Sequence, residues 1–251
     1  MINTVVLTKP RAQQARWIDA LSQHGFGVEA LPLLITEPLP ETPAQRTVWL
    51  NLDQYHGIVV VSPSAAEIVL DRLDMYWPQP PVGIQWLCNG SGTAQVLEQL
   101  PELALQVTYP VHGNRAEDVL ALPTMQQVQD QRWLIIAGEG GREVTQPALE
   151  ARGAQVTRLE VYRRQGVTLS PTDLQRLDTP NIIVQISSMA ALDCLTSQAS
   201  MVTKQATPLL ISSPRLDTAA RQYGWLKIVN AQGASLEAAL DALNSLQEPT
   251  S

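Results

Sequence analysis

The sequence predicts an α/β protein made of two parallel-sheet domains, one inserted into the other. Three observations carry this expectation. The chain resembles itself out of phase with its own ends. Apolar strand-like runs alternate with helical patterns from end to end. Nearly every such run leads into small polar or basic residues. Long-period self-similarity bears first on architecture. His24–Leu34 recurs as Arg152–Tyr162, placing Gly25 on Gly153, Val28 on Val156 and Leu31 on Leu159 at an offset of 128. Ile58–Ala66 recurs as Ile183–Ala191 at an offset of 125, and Leu87–Ser91 pairs more weakly with Leu210–Pro214 at 123. Drifting offsets are what two diverged copies with small deletions would show.

The copies do not run end to end. One opens near Glu41 and closes near Tyr162. The other opens near Pro171, runs to the C-terminus and lacks its last two strands, which are Thr4–Thr8 and Gly27–Leu33 at the start of the chain. Residues 1–36 and 166–251 are therefore expected to form one discontinuous domain, and residues 40–163 a second inserted into it. The linkers fall at 34–39 and 161–166. A crossing of two chain segments leaves a cleft between two lobes, and domain interfaces are a preferred place for ligand sites.

The elements follow in order. Thr4–Thr8 leads into a helix over Ala12–Gln23, with Ala15, Ile18 and Leu21 at helical spacing and Gly25 as its stop. Gly57–Ser62 precedes Ser64–Leu73, with Ile68 and Val69 on one side. Ile84–Cys88 precedes Gly92–Leu100, and Leu105–Tyr109 precedes Ala116–Leu122. Trp133–Ala137 precedes Arg142–Arg152, where Pro147 means that the helix begins near Thr145 or bends. The scheme repeats with strands at Asn181–Ile186, Pro208–Ile211 and Leu226–Val229, and a last helix over Ser235–Leu246. Near-continuous apolar strands are covered on both faces, and strands alternating with helices give parallel sheets wound by helices. Each domain is expected to hold about five strands in a flavodoxin-like arrangement, with ligands beyond the carboxyl ends of the strands.

Composition excludes several classes. With 251 residues the chain has room for a core in each domain. No run approaches the ~18–20 apolar residues of a membrane span. The N-terminus is polar again by Thr8 and reads as a first strand rather than a signal peptide, so a cytoplasmic location is expected. Cys88 and Cys194 are the only cysteines. They read as buried structural thiols rather than a disulfide framework. His24, His56 and His112 share no ligand spacing with each other or with the cysteines, and no metal site is expected. A net charge of −7 argues against a nucleic-acid surface. The cations are three lysines and fourteen arginines. Arginine suits carboxylate recognition through its fork of donors, and GC-rich codon usage gives the same bias.

The carboxyl ends of the strands are distinctive. They are Thr8-Lys9-Pro10-Arg11, Ser62-Pro63-Ser64, Asn89-Gly90-Ser91-Gly92-Thr93, Gly138-Glu139-Gly140-Gly141-Arg142, Ser187-Ser188, Ser212-Ser213-Pro214-Arg215 and Gly233-Ala234-Ser235. Each offers backbone N–H groups at a helix start, hydroxyls or a guanidinium, the makings of anion sites. Each serine also suits plain N-capping. The Gly138–Arg142 turn is no dinucleotide fingerprint, because the third glycine would fall at Glu143. There is no P-loop lysine motif, nucleophile elbow or visible nucleophile–base pair, which disfavours acyl-enzyme chemistry.

Taken together, these residues resemble the uroporphyrinogen-III synthase family along essentially the whole chain. The carriers are Val6–Pro10, Leu31–Leu34, Ser62–Ala66, Asn89–Ala94, Gly138–Arg142, Gly153–Val156, Val161–Arg163 and Ile186–Ser188. Each is short, and their order and spacing are the specific part. Two places depart from the family pattern. Lys9 stands where the family usually has arginine, and Ser213-Pro214-Arg215 stands where it often shows Gly-x-Thr-Thr-Ala.

The resemblance implies a cofactor-independent lyase. It would close hydroxymethylbilane, a linear tetrapyrrole with eight carboxylates, with loss of water and inversion of the last ring. It implies Tyr162 as the catalytic residue, its phenol helping the substrate hydroxyl to leave; packing at the hinge is the other role open to that ring. The substrate-binding candidates are Lys9, Arg11, Ser62, Ser64, Ser91, Thr93, Gly138, Arg142, Ser187, Ser188, Ser213, Arg215 and Ser235. No cofactor, metal, nucleic acid or membrane is expected. A monomer is expected, with possible transient handover of substrate from hydroxymethylbilane synthase. The alternatives are a two-lobed cytoplasmic binding protein for a small polyanion and, third, a nucleotide-dependent enzyme.

Overall fold

The structure is a computed structural model describing residues 2–10, 14–77, 79–99 and 105–247. By its contacts the chain divides into two compact units, Met1–Ile35 with Gln165–Ser251, and Thr36–Arg164.

The first unit begins with β1 (Thr4–Leu7), α1 (Ala15–Gln23) and β2 (Gly27–Ala30), and β3 (Leu34–Pro38) carries the chain across the boundary. The second unit follows with α2 (Pro43–Leu50), β4 (Gly57–Val60), α3 (Pro63–Tyr76), β5 (Gln85–Cys88), α4 (Ser91–Leu97), β6 (Val107–Thr108), α5 (Ala116–Leu120), β7 (Arg132–Gly138), α6 (Thr145–Ala151) and β8 (Gln155–Gly166). The first unit then resumes with α7 (Pro171–Leu177), β9 (Ile182–Ile186), α8 (Met189–Gln198), α9 (Met201–Ala206), β10 (Leu209–Ile211), α10 (Pro214–Gln222), β11 (Ile228–Asn230) and α11 (Leu236–Ser245).

In the first unit the sheet order is β11-β10-β9-β1-β2, and every paired neighbour is parallel. Counted along the chain within this unit, that is the 2-1-3-4-5 order of flavodoxin-like folds. In the second unit the order is β3-β8-β7-β4-β5-β6. Setting β3 aside, β7 and β8 take the places of β1 and β2, while β4, β5 and β6 take those of β9, β10 and β11. The second unit is thus a circular permutation of the first.

Strand register corrects one part of the repeat. Val28 lies beside Val5, and Val156 beside Trp133. Val5 in turn pairs with Ile183, and Trp133 with Gly57. Gly57 therefore corresponds to Ile183, an offset of 126 rather than 125. A one-residue slip exchanges the faces of a strand, and the cores agree with the corrected register. Ile58 and Val60 face the core containing Trp49, as Val184 and Ile186 face the core containing Trp225. On the other face, Val59 joins the core around Trp133, and Ile183 joins the core around Trp17.

The repeated glycine is explained by helix termination. Gly25 and Gly153 have φ of 82° and 86°. After α1, Gly25 N–H donates to Ser22 O and Phe26 N–H to Leu21 O; after α6, Gly153 N–H donates to Glu150 O and Ala154 N–H to Leu149 O. Both ends are Schellman caps, whose left-handed position favours glycine. Gly25→Ala and Gly153→Ala should each cost about 1–2 kcal/mol in denaturant unfolding. A methyl at Gly25 would meet nothing within 4 Å, whereas one at Gly153 would collide with the Gln129 side chain. A loss confined to Gly153 would assign the effect to packing and contradict the backbone account.

Several expectations are corrected locally. The connector at Leu34–Pro38 is a paired strand, β3. The strand expected at Gly27–Leu33 stops at Ala30. On α1 the buried face is Trp17 and Leu21, while Ile18 is exposed, because the large indole rather than the nominal period selects the inward face. Its expected start at Ala12 lies outside the described residues, as does the expected end of α4 at Leu100. The helix after Gly138–Arg142 begins at Thr145, so Pro147 falls in its first turn, where no N–H partner is lost. Cys88 is buried, but Cys194 is only partly so, its Sγ within 3.2 Å of Leu33 O. Among the described residues no helix is long and apolar enough to cross a membrane.

Candidate functional site

In the second unit, the carboxyl ends of β4, β5 and β7 open onto two adjoining cavities of about 910 and 350 Å³, which share Ser62, Asn89 and Asn114 in their walls. This is the edge where parallel sheets bind ligands. Ser62 sits just beyond β4 as the N-cap of α3, its Oγ accepting from Ala65 N–H at 3.2 Å. The same Oγ lies 2.9 Å from the Tyr162 hydroxyl.

Tyr162 is not at a strand end. It lies within β8, buried, and pairs with Gly138 where the β7–β8 register shifts. The missing side chain at Gly138 makes room for the ring: an added Cβ would stand 2.5 Å from Cε2 and Cζ of Tyr162. The phenol is therefore clamped with its oxygen at the wall of the smaller cavity. Arg164 Nη2 approaches that oxygen at 3.5 Å, with its guanidinium carbon 5.9 Å from the ring centroid.

The smaller cavity is cationic although the chain is acidic. Arg115, Arg142, Arg158 and Arg164 line it, with the Gly138–Gly141 turn and the carboxylate residue Glu139. Arg142, an expected binding residue, is exposed and ion-paired with Glu117 at 2.5 Å. The Glu117 carboxyl is held below the usual range by its own backbone N–H and then by Arg142. A side chain so placed is available only by exchanging that pair.

Thr93 is buried and Ser91 exposed, both lining the larger cavity from the first turn of α4. Beside them the Asn89 Oδ1 is buried with no hydrogen-bond partner among the described residues. Ser64 lies in the first turn of α3 and lines neither cavity. Burial pushes the Cys88 thiol up and keeps it protonated, its Sγ 3.3 Å from Gly90 O.

In the first unit the equivalent edge carries Lys9, Ser187, Ser188, Ser213, Arg215 and Ser235. Ser188, Ser213 and Ser235 are N-caps of α8, α10 and α11, accepting from Ala191, Leu216 and Ala238. Capping uses one lone pair and leaves the O–H free to donate. Ser170 and Ser200 cap α7 and α9 in the same way, so a capping serine does not by itself mark a ligand site. Arg215 is exposed on α10. Arg11 lies outside the described residues.

Lys9 donates to Ser187 Oγ at 3.4 Å and stands 4.5 Å over the Trp17 ring. Burial lowers its pKa below 10.5. The unfolded chain then binds the Lys9 proton more tightly, so this group's contribution to stability rises with pH between the lowered value and 10.5. Lys9→Met should flatten that part of the stability–pH curve relative to the parent chain. An unchanged slope would show that Lys9 is not desolvated.

Arg158 and Arg164 escape the sequence reading: Arg158 lies beside buried Leu159 and Arg164 in the exposed stretch after Tyr162, on a strand whose many polar residues give neither a distinctive signal.

The geometry defines a class, a two-unit α/β protein with a hydroxyl- and guanidinium-lined cavity at the carboxyl edge of one sheet. The family model described as uroporphyrinogen-III synthase HemD matches residues 15–241. Uroporphyrinogen-III synthase of Escherichia coli K12 is 27% identical over 249 residues, covering 96% of this chain and 99% of the relative. The chloroplastic uroporphyrinogen-III synthase of rice is 26% identical over 229 residues, covering 88% and 72%. Uroporphyrinogen-III synthetase from Helicobacter pylori shares the fold with a TM-score of 0.66 at 13% identity, covering 98% of this chain and all of that one. The chain belongs to the uroporphyrinogen-III synthase family.

Proposed function

We propose that the protein converts hydroxymethylbilane to uroporphyrinogen III, closing the macrocycle with loss of one water and inversion of ring D. The observation that carries this reading is the clamped Tyr162 hydroxyl, 2.9 Å from Ser62 Oγ, at the wall of an arginine-lined cavity. The family membership supplies the reaction, and the cavity supplies chemistry that suits it.

The substrate hydroxyl must leave as water, which needs a proton, and its departure leaves a cationic azafulvene. When Ser62 donates to the phenolic oxygen, the Tyr162 O–H is released toward the departing hydroxyl. Such positioned proton donation contributes about 10²–10⁴-fold. Attack by the substituted carbon of ring D on the cation would give a spirocyclic pyrrolenine. Its rearrangement and loss of a proton, returned to the Tyr162 phenolate, would give the inverted macrocycle. The harder task is conformational, because the chain must be held with ring D presented by the carbon that inverts it. Donors at strand ends suit eight carboxylates: in this reading Lys9, Arg11, Ser187, Ser188, Ser213, Arg215 and Ser235 serve in the first unit. Ser62, Ser91, Thr93, Gly138 and Arg142 serve in the second, where Ser64, outside both cavities, does not. We also place the enzyme in the cytoplasm as a monomer that receives its unstable substrate directly from hydroxymethylbilane synthase.

The test is incubation of the purified chain with freshly generated hydroxymethylbilane. Macrocycle formation far above the spontaneous rate is expected. Consumption no faster than in buffer would contradict the proposal.

A further inference from the structure

Of the four arginines around the smaller cavity, Arg158 alone is deeply set. Its side chain is 13% exposed, against 70% for Arg142. Its guanidinium lies beneath the glycine turn, where a methyl on Gly141 would stand 3.5 Å from Nη2. The only acidic partner among the described residues is Glu160, two residues along the same strand, at a long 3.5 Å from Nε. Good guanidinium–carboxylate contacts are about 2.7–2.9 Å and often bidentate. The side chain is largely covered, and among the described residues only Nε has a hydrogen-bond partner, so the remaining guanidinium donors are open to a ligand. Tyr162 and Arg164 line the same cavity.

We infer that Arg158 is a substrate-binding residue that grips a side-chain carboxylate of the tetrapyrrole beside the Tyr162 hydroxyl. This inference rests on the proposed reaction. The bound carboxylate completes the hydrogen bonding that Glu160 leaves unmet, and it fixes the adjacent ring against the phenol. Arg142, already engaged with Glu117 at the surface, plays the lesser part. Glu160 competes with the substrate for the same guanidinium.

The test compares Arg158→Gln, Arg158→Lys, Arg142→Gln and Glu160→Gln with the parent enzyme, measuring KM and kcat for hydroxymethylbilane, inhibition by uroporphyrinogen III and thermal melting. Arg158→Gln should raise KM and the product inhibition constant by at least tenfold, with kcat within a few-fold. Arg158→Lys should recover part of the affinity, because charge remains while the fork is lost. Arg142→Gln should raise KM by a clearly smaller factor than Arg158→Gln. Glu160→Gln, which keeps Arg158 and frees it, should lower KM and guards against a folding defect in the first variant. Unchanged KM and product inhibition in Arg158→Gln or Arg158→Lys would overturn the inference, as would a higher KM in Glu160→Gln. A parent enzyme that forms no uroporphyrinogen III would instead overturn the proposed reaction.

Discussion

Tyr162→Phe is expected to lower kcat on the order of tenfold to several hundredfold while leaving the fold nearly intact. The change removes one oxygen, whose contacts are Ser62 Oγ at 2.9 Å and Arg164 at 3.5 Å. The ring keeps its place over Gly138 and its packing in the core of the second unit. A positioned proton donor is lost, and the size of the effect follows from what such donors supply. The residual product should still carry the inverted ring, because the shape of the cavity is unchanged. Steady-state kinetics with chromatographic isomer analysis reads both. An unaltered rate with a lowered melting temperature would assign the tyrosine to packing alone, and the chemistry would then fall to distributed donors such as Ser62, Thr93 and Ser188.

Gly138→Ala is expected to be at least as damaging, through the same hydroxyl. The new methyl would lie 2.5 Å from Cε2 and Cζ of a buried ring whose backbone is fixed by pairing with residue 138 itself. The ring must swing away, breaking the contact with Ser62. Overpacking of this kind costs about 1–3 kcal/mol, and kcat should fall roughly a hundredfold or more if the full benefit of positioned proton donation is lost. The two effects separate in a double variant. Adding Gly138→Ala to Tyr162→Ala should cost little further stability, since the clash partner is gone, and neighbouring changes are non-additive. A Gly138→Ala enzyme with parental activity and melting temperature would show that the ring does not occupy that position.

Much of the fold is legible in the sequence because its signals are backbone requirements. Gly25 and Gly153 share a left-handed cap that few other residues tolerate, so the repeat persists there at an offset of 128. The apolar runs of β4, β7 and β9 mark strands covered on both faces. The error lies in the register of β4 against β9. Ile, Val, Ser and Ala recur so densely there that the slipped register matches at more positions than the true one, and only pairing with β1 and β7 decides it. β3 was hidden because Leu34–Pro38 carries no strong strand pattern, and pairing with β8 makes it a strand.

The site is less legible, for a physical reason. Ser62, Ser188, Ser213 and Ser235 look alike in sequence, because all four cap helices. Only Ser62 is joined to a tyrosine hydroxyl, and that contact spans 100 residues of chain. In sequence Gly138 looks like part of an anion-binding turn, whereas its most definite role is to admit the Tyr162 ring. Arg142 drew attention by its place after a glycine turn, yet it is exposed and paired, while Arg158 was masked by the strand around it. Burial and pairing partners decide which cation faces the cavity, and neither is written in local sequence.

This chain is expected to direct the closure of hydroxymethylbilane toward the inverted isomer. The most direct measurement is the isomer composition of the macrocycle formed when the bilane is generated in the presence of the purified protein, oxidised to porphyrin and resolved by chromatography. Type III should predominate, against type I in a control without the protein. Type I alone, at any rate of closure, would contradict the account.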